Sequence, residues 1–275
     1  MDDERPAQPL EPVGSTGTLG KAISLLDTVV MADQPLRFTE ILAMTGQPRG
    51  TLHRQLSHLV QEGLLTQRSD LAYEPGLRLL SFAHKAWARN DLRTVAAPHL
   101  ARLHAETLET VHLGLLRGAE IVYIDKVESR QTVRMESQVG KTSPVYCTGL
   151  GKAALTALPR ARQVSIAEQI SYRAFTPRTH LSAASLLADL DRVSTRGVAF
   201  DEEEHETDIR CVAAPLANAD RSLVGGVSVT GPAYRISMAQ LEAWSPLVLN
   251  TARAIAEDVA VRMAPRAPDP HAARD

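Results

Sequence analysis

Apolar residues near the start of the chain recur every three or four positions, which is the spacing of an amphipathic helix. Between residues 20 and 32 these positions are Ala22, Ile23, Leu26, Val29 and Val30. An extended link follows at Leu36-Arg37-Phe38, and Thr39 has a side chain suited to cap a second helix over residues 40–45. Gly46 is suited to end that helix. The pattern therefore predicts two short helices joined by an extended segment.

A third helix and a hairpin follow directly. Pro48 suits the first turn of a helix that runs to about residue 62, and Gly63 ends it. Two short apolar runs, at residues 64–66 and 71–73, flank a polar stretch and predict a small hairpin. Three helices, the last two separated by a tight turn that contains Gly, and then a hairpin are the order of a winged helix-turn-helix.

The third helix has one apolar face and one polar face. Helical spacing places Leu52, Leu56, Leu59 and Val60 on the inward face. The opposite face carries hydrogen-bonding groups and Arg54, with no carboxylate between Arg49 and Gln61. We predict that this face enters the major groove of double-stranded DNA. The predicted DNA-binding residues of the helix and the hairpin are Arg49, Gly50, Thr51, His53, Arg54, Ser57 and Arg68. A solvated helix in an ordinary three-helix core is the structural alternative.

The remainder of the chain mixes helical spacing with strand alternation. Residues 77–90 predict an amphipathic linker helix that pairs with a second copy, and a helix resumes over residues 92–108, with an irregularity at Pro98. Strands are predicted at residues 111–116, 121–127, 132–136, 198–201, 210–216 and 223–230, and helices at residues 149–158, 160–170, 182–195 and 237–263. Strand pairs around a helical insertion indicate an α+β domain with an antiparallel sheet.

Composition limits the class of protein. A length of 275 residues suits two domains, and 44% hydrophobic with 23% charged residues is ordinary for a soluble globular protein. The apolar runs are shorter than the roughly 18 residues of a membrane helix, and the acidic start Met1-Asp2-Asp3-Glu4 does not resemble a signal peptide. Only two cysteines occur, Cys147 and Cys211. These features favour a cytoplasmic protein with no membrane partner.

The net charge of the chain neither indicates nor excludes a nucleic-acid partner. The net charge is −2, and acidic and basic residues are nearly balanced over residues 20–76. DNA binding therefore depends on the local placement of arginines along the third helix. Gly17-Thr18-Leu19-Gly20-Lys21 is not a phosphate-binding loop, because Ser15 and Ala22 stand where that motif requires Gly and Ser or Thr.

Several motifs occur in a fixed order along the chain. The first is Gly46-Gln47-Pro48-Arg49-Gly50-Thr51-Leu52-His53-Arg54-Gln55-Leu56. The others are Glu109-Thr110-Val111-His112-Leu113, Val122-Tyr123-Ile124-Asp125-Lys126-Val127-Glu128-Ser129, Gly149-Leu150-Gly151-Lys152-Ala153, Asp201-Glu202-Glu203-Glu204, Ile209-Arg210-Cys211-Val212-Ala213-Ala214-Pro215 and Val227-Ser228-Val229-Thr230-Gly231-Pro232. Over residues 19–262 the chain resembles the IclR family of bacterial transcriptional regulators.

The resemblance implies an N-terminal winged helix-turn-helix, a linker helix and a C-terminal GAF-like domain that binds a small-molecule effector. The implied organisation is a flexible tail at residues 1–18, a DNA-binding domain at 19–76, a linker at 77–90, an effector-binding domain at 91–263 and a second tail at 264–275. It also implies dimers that pair into tetramers. The implied effector contacts are the backbone amides of Gly149 and Leu150 and the side chains of Asp201, Cys211, Ser228 and Thr230, with Met135 as an apolar wall. Gly50 and Thr230 stand where the family usually has Ser.

These residues also make chemical sense without the family. Gly149 precedes a predicted helix, whose free N–H groups attract an anion. Ser228 and Thr230 leave the same face of a strand, with Cys211 on its neighbour, and Asp201 is placed to accept a hydrogen bond from a hydroxyl or hydrated aldehyde. We therefore predict a short oxo- or hydroxy-carboxylate or a semialdehyde as effector of a repressor. An activator that responds to an aromatic acid is the alternative.

Other functions remain open at this point. The acidic residues from Asp201 to Glu204, with Glu206 and Asp208, form a solvated loop or, less readily, a metal site. His112 and Cys211 are isolated candidate zinc ligands. An enzyme would use Cys211 or Cys147 as nucleophile and His112 or His205 as base, and a scaffold would use the winged helix to bind protein. We expect no cofactor. The pattern leaves open whether Cys147, Tyr146 or His112 contacts the ligand.

Overall fold

The computed structural model describes residues 17–88, 91–131, 137–218, 221 and 223–263. Contacts divide the chain into two compact units, Met1–Asn90 and Asp91–Asp275, here called the N-terminal and C-terminal units. Met135, the strand predicted at residues 132–136, the tail predicted at residues 264–275 and nearly all of the tail predicted at residues 1–18 lie outside the described residues.

The N-terminal unit contains helices and a small sheet in the predicted order. Its elements are α1 (Gly17–Val30), β1 (Leu36–Arg37), α2 (Phe38–Thr45), α3 (Arg49–Gln61), β2 (Leu65–Gln67), β3 (Ala72–Pro75) and α4 (Leu77–Ala88). The strands pair antiparallel in the order β1-β3-β2. Leu25, Ile41, Leu52 and Leu56 are fully buried, so α1, α2 and α3 share one core with the hairpin. The winged helix-turn-helix is confirmed.

Two predicted boundaries in this unit were wrong. Helix α1 begins at Gly17 rather than at residue 20. Helix α2 begins at Phe38 with Arg37 as its N-cap, so Thr39 lies in the first turn and does not cap the helix. The physical reason is that the Arg37 N–H donates to Glu40 Oε2 at 2.6 Å, which satisfies the cap from inside the helix. Gly46 ends α2 as predicted, with φ of 59°.

The C-terminal unit is built on a six-stranded antiparallel sheet in the order β6-β5-β4-β9-β8-β7. Its elements are α5 (Asp91–Thr107), β4 (Thr110–Arg117), β5 (Glu120–Val127), β6 (Thr142–Pro144), α6 (Gly149–Thr156), α7 (Arg160–Gln169), α8 (Ala183–Arg196), β7 (Ala199–Glu202), β8 (Ile209–Ala217), β9 (Val224–Pro232) and α9 (Met238–Met263). The predicted α+β architecture is confirmed. Strand β6 was not predicted, because a three-residue strand that ends in Pro shows no alternation.

Helices cover both faces of this sheet. Alternate residues of β8 belong to different cores: Val212 and Ala214 pack in the core that includes α5 and α9, whereas Cys211 and Ala213 pack in the core that includes α6 and α8. This alternation is the two-residue period of a strand. The face toward α6 is the one that forms the candidate site. In the described part of the chain, no helix has both the length and the apolar character needed to cross a membrane.

Candidate functional site

All the predicted DNA-binding residues except Arg68 lie on α3. Arg49, Gly50, His53 and Arg54 are exposed on α3, whereas Thr51 and Ser57 are half-buried at its margins. Opposite them, Leu52, Leu56 and Leu59 are buried in the core of the unit. The helix therefore presents arginines to solvent while its leucines anchor it. This is the division that a helix in a major groove requires.

Arg68 differs from the arginines of α3. It lies between β2 and β3, where its guanidinium is 3.4 Å from Asp70 and 3.6 Å from Glu74. Both carboxylates partly neutralise Arg68. The sequence between β2 and β3 contains no other arginine. We expect Arg68 to contribute less to DNA affinity than Arg49 or Arg54.

An aromatic residue that sequence reasoning did not select lies beside the arginines of α3. The Arg49 guanidinium lies 5.4 Å from the ring centre of Phe38, and the ring of His53 lies 6.3 Å from it. Phe38 itself is half-buried against the core. Contact with an aromatic ring restricts the otherwise flexible Arg49 side chain. The sequence pattern predicted Phe38 in an extended segment between helices and gave no signal for this contact.

In the C-terminal unit, the strand register brings the predicted effector residues of the sheet onto one face. Asp201 of β7 is paired with Cys211 of β8, and Cys211 with Thr230 of β9. Ser228, two positions along β9, is paired with His112 of β4. Residues directly opposite one another in an antiparallel sheet point to the same face. All five side chains therefore leave the sheet on the side that α6 covers.

These side chains and the start of α6 enclose a cavity of about 60 Å³. Every predicted effector residue within the described part of the chain lines it: Gly149, Leu150, Asp201, Cys211, Ser228 and Thr230. The cavity wall also includes residues that were not predicted, namely Tyr123, Ser137, Thr148, His205, Glu206 and Ile209. Of the residues left open, His112 lines the cavity, whereas Tyr146 and Cys147 are buried in the core with α6 and α8.

The start of α6 supplies hydrogen-bond donors to this cavity. Thr148 is the N-cap, and its Oγ1 accepts from the Gly151 N–H at 3.2 Å. The amides of Gly149 and Leu150 belong to the first turn, where N–H groups have no partner within the helix. A Cβ atom on Gly149 would lie 2.9 Å from Cys211 Sγ, so the backbone approaches the sheet closely. This geometry suits an anion held by backbone amides.

Asp201 also lines the cavity, close to Gly149. It is only 5% exposed, and its Oδ1 accepts from the Glu204 N–H at 2.8 Å. Burial, reinforced by the negative charge of Glu204, raises the pKa of Asp201 to about 7. The sequence-based prediction assigned Asp201 only an accepting role. With this pKa the carboxyl is protonated in part of the molecules at neutral pH and also donates.

The cysteine and histidine of the cavity are not set up for nucleophilic catalysis. Burial raises the pKa of Cys211 to about 12, and burial together with the nearby Lys126 charge lowers the pKa of His112 to about 3. Burial also raises the pKa of Cys147 and lowers that of His205. Both thiols are therefore protonated at neutral pH, whereas an activated nucleophile requires a thiolate.

The predicted acidic loop is partly internal, which corrects its interpretation as a solvated loop. Asp201 and Glu204 are buried, and Glu203 lies 2.9 Å from the Arg210 guanidinium. The reason is Lys152 of α6, which is fully buried and whose Nζ donates to Glu204 Oε1 at 2.5 Å and to Asp189 Oδ2 at 2.7 Å. The ammonium therefore lies between these two carboxylates and pairs with both.

Comparison with known proteins agrees with this architecture. A family model described as Bacterial transcriptional regulator IclR C-terminal matches residues 84–257, and one described as IclR helix-turn-helix domain matches residues 18–69. The HTH-type transcriptional regulator XynR of Escherichia coli strain K12 is 32% identical over 222 residues, which cover 80% of this chain and 88% of the relative.

Two further similarities extend over most of the chain. The Acetate operon repressor of Salmonella typhimurium strain LT2 is 28% identical over 255 residues, covering 91% of this chain and 93% of that protein. A crystal structure of the Thermotoga maritima IclR superposes with a TM-score of 0.66 at 30% identity, covering 88% of this chain and 98% of that chain.

Proposed function

The chain belongs to the IclR family of bacterial transcriptional regulators, and we propose that it is a repressor whose binding to double-stranded operator DNA is controlled by a short oxo- or hydroxy-carboxylate or a semialdehyde. The matched domains and relatives are transcriptional regulators and not enzymes. Relatives that are named repressors support the sign of regulation. The single observation that carries the effector class is a small cavity lined by both backbone amides and a buried carboxyl.

We assign DNA binding to residues 19–76, dimerisation to the linker helix at residues 77–90 and effector binding to residues 91–263. On α4 the side chains of Leu77, Leu80 and Phe82 are 78%, 67% and 52% exposed. Exposed apolar side chains favour burial against a partner, and Leu77 and Leu80, which are three residues apart, share one face that a second copy of α4 could cover. A dimer would present two copies of α3 to the two halves of an operator.

The size of the cavity supports a short ligand. A cavity of about 60 Å³ is small among ligand sites, which favours an acid of few non-hydrogen atoms. An activator that responds to an aromatic acid stays the alternative.

The chemistry of the walls supports an acid with a second oxygen function. The amides of Gly149 and Leu150 would hold the carboxylate, and Asp201 would meet the oxo or hydroxyl oxygen at the far end. Asp201 donates to an oxo oxygen when it is protonated and accepts from a hydroxyl when it is ionised. The hydroxyls of Ser228 and Thr230 would fix the orientation of the ligand between these ends.

Replacing Gly149 with Ala tests the site directly. The added Cβ would lie 2.9 Å from Cys211 Sγ and 3.6 Å from Asp201 Cβ, so the methyl group enters the cavity. We expect the affinity for the acid to fall at least about tenfold, or about 1.4 kcal/mol. Calorimetry with pyruvate, glyoxylate and lactate as probes measures this change. Gly50→Ala is the matched control, because a Cβ at Gly50 meets nothing within 4 Å. Equal loss in both variants, or none in Gly149→Ala, would contradict the site.

Acid binding should also depend on pH. Asp201 has a pKa of about 7, so it is largely neutral below pH 7 and negative above it. A bound carboxylate favours the neutral form, and affinity should therefore fall as pH rises through about 7, by up to about tenfold for each pH unit above it. Calorimetry between pH 6 and 8 measures the slope, and Asp201→Asn should abolish it. A wild-type affinity that does not change over this range would overturn the role of Asp201.

A further inference from the structure

Outside the cavity wall, a buried ion cluster joins three separate parts of the C-terminal unit. We propose that Lys152 and Glu204 are positioning residues of the cavity, which together fix the place of Asp201 relative to the amides of Gly149 and Leu150. The effect of this positioning on ligand affinity rests on the proposed effector site. The positioning of Asp201 by Lys152 and Glu204 does not depend on that site.

Glu204 is held through its backbone as well as its side chain. Its N–H donates to Asp201 Oδ1 at 2.8 Å, and its carbonyl accepts from Thr179 Oγ1 at 2.7 Å and from Thr176 Oγ1 at 3.3 Å. The side-chain oxygen Oε1 accepts from Lys152 Nζ. The residue before it, Glu203, has φ of 67°, a left-handed conformation that a non-glycine residue adopts only where its surroundings hold it. The orientation of Asp201 is therefore determined by contacts on several sides of Glu204.

Lys152 connects Glu204 to the amide side of the cavity. It lies three residues after Gly149, which is nearly one turn of α6, so its side chain starts from the same rigid helix as the amides. Its Nζ spans from α6 to Glu204 and to Asp189 of α8. Lys152 and Asp189 are not among the described residues that line the cavity. They would therefore act on a ligand only through Glu204 and Asp201.

A buried ammonium between two carboxylates is a poor source of stability but a strong geometric constraint. Removing these charges from water is costly, and the cost is recovered only when donors and acceptors meet in one arrangement. The Lys152 side chain is 0% exposed, and those of Asp189 and Glu204 are 7% and 9% exposed. The cluster therefore permits little change in the distance between α6 and the loop that follows β7.

The cluster also acts on Asp201 through charge. Burial is the main cause of the raised pKa of Asp201, and the Glu204 carboxylate adds to it, whereas the Lys152 ammonium opposes it. The titratable and charged groups that influence or face Asp201 are Glu204, His205, Lys152, Tyr123, Cys147 and Cys211. Glu204→Gln removes one negative charge from this set while preserving an oxygen that accepts from Lys152.

The test uses the full chain with no ligand added. Aspartate is labelled with ¹³C at the carboxyl carbon, and the Asp201 signal is identified by its loss in Asp201→Asn. In Glu204→Gln we expect the midpoint of Asp201 to fall by about one pH unit and the backbone amide signals of Gly149 and Leu150 to shift. Asp191→Asn, which removes an exposed carboxylate paired with Arg160 on the same unit, is the matched control and should change neither. Unchanged Asp201 and amide signals in Glu204→Gln would overturn the proposal.

A second variant covers the case in which Glu204→Gln does not fold. Thr179→Val removes the hydroxyl that donates to the Glu204 carbonyl and that also accepts from the backbone N–H groups of Phe175 and Thr176. We expect the variant to shift the amide signals of Glu204 and Leu150. Unchanged signals there would count equally against the proposal. If no short acid binds the wild-type protein but these signals move as expected, the effector assignment fails and the positioning role stands. If acids bind and the signals do not move, the effector assignment stands and the positioning role fails.

Discussion

Replacing Lys152 with methionine is expected to destabilise the C-terminal unit by about 3–5 kcal/mol. Methionine fills a similar volume but leaves the carboxylates of Asp189 and Glu204 buried without their shared ammonium. Burial by itself would lower the pKa of Lys152, but the charges of Glu204 and Asp189 outweigh that effect and raise it. The loss in the variant is therefore the cost of unpaired buried charge rather than of lost packing.

Chemical denaturation followed by tryptophan fluorescence measures this loss. A Trp87→Phe background leaves Trp244 of α9 as the remaining tryptophan, so the signal reports the C-terminal unit. Lys141→Met, at an exposed lysine of the same unit, should change stability by less than about 0.5 kcal/mol. Adding Glu204→Gln to Lys152→Met should recover part of the loss, because Asp189 keeps its ion pair with Arg192 and the buried Glu204 charge disappears. A loss below about 1 kcal/mol would mean that the cluster does not constrain the unit.

Replacing Arg54 with alanine is expected to weaken specific DNA binding by about 1–3 kcal/mol, or roughly 10- to 100-fold. Arg54 is exposed at the middle of the outward face of α3, and the leucines of the opposite face anchor the helix. Loss of its guanidinium removes a hydrogen-bonding group at the base edges without disturbing the core. The stability of the N-terminal unit should therefore remain unchanged.

Fluorescence anisotropy with a duplex from upstream of the protein's own gene measures this effect. Arg162→Ala, at an exposed arginine of α7, removes the same charge from the other unit and should leave DNA affinity unchanged. This control separates a local contact from a general change in net charge. A loss of the same size in both variants, or no loss in Arg54→Ala, would contradict the assignment of α3 as the DNA-binding helix. If the winged helix bound protein instead, Arg54→Ala would leave binding to that protein partner intact.

Periodicity predicted α3 and β8 because the side chains that they pack into each core recur at the spacing of a helix and of a strand. The leucines of α3 follow helical spacing and reach the core, and β8 alternates between two cores. Single-residue capping rules failed where a neighbouring side chain competed. Thr39 had the right chemistry for a cap, but Glu40 satisfied the Arg37 N–H instead. Strand β6 is too short to show a period.

The cavity residues that follow from sequence motifs and strand alternation were predictable. Ser228 and Thr230 share a face because they are two residues apart on β9, and Gly149 was recognised as the start of a helix. The partners of Lys152 lie 37 and 52 residues away, and no local pattern connects them. The charge of Asp201 depends on burial, which sequence spacing does not measure.

We propose that operator binding responds to a small acid. One titration tests this response directly. The purified full-length protein is titrated against its own upstream duplex and against a shuffled duplex of the same composition, with and without pyruvate, glyoxylate or lactate. The account predicts a preference for the upstream duplex of at least about 1,000-fold, and a change in that preference with at least one acid. A preference that none of these acids changes, or equal affinity for both duplexes, would contradict the proposed regulation by an acid.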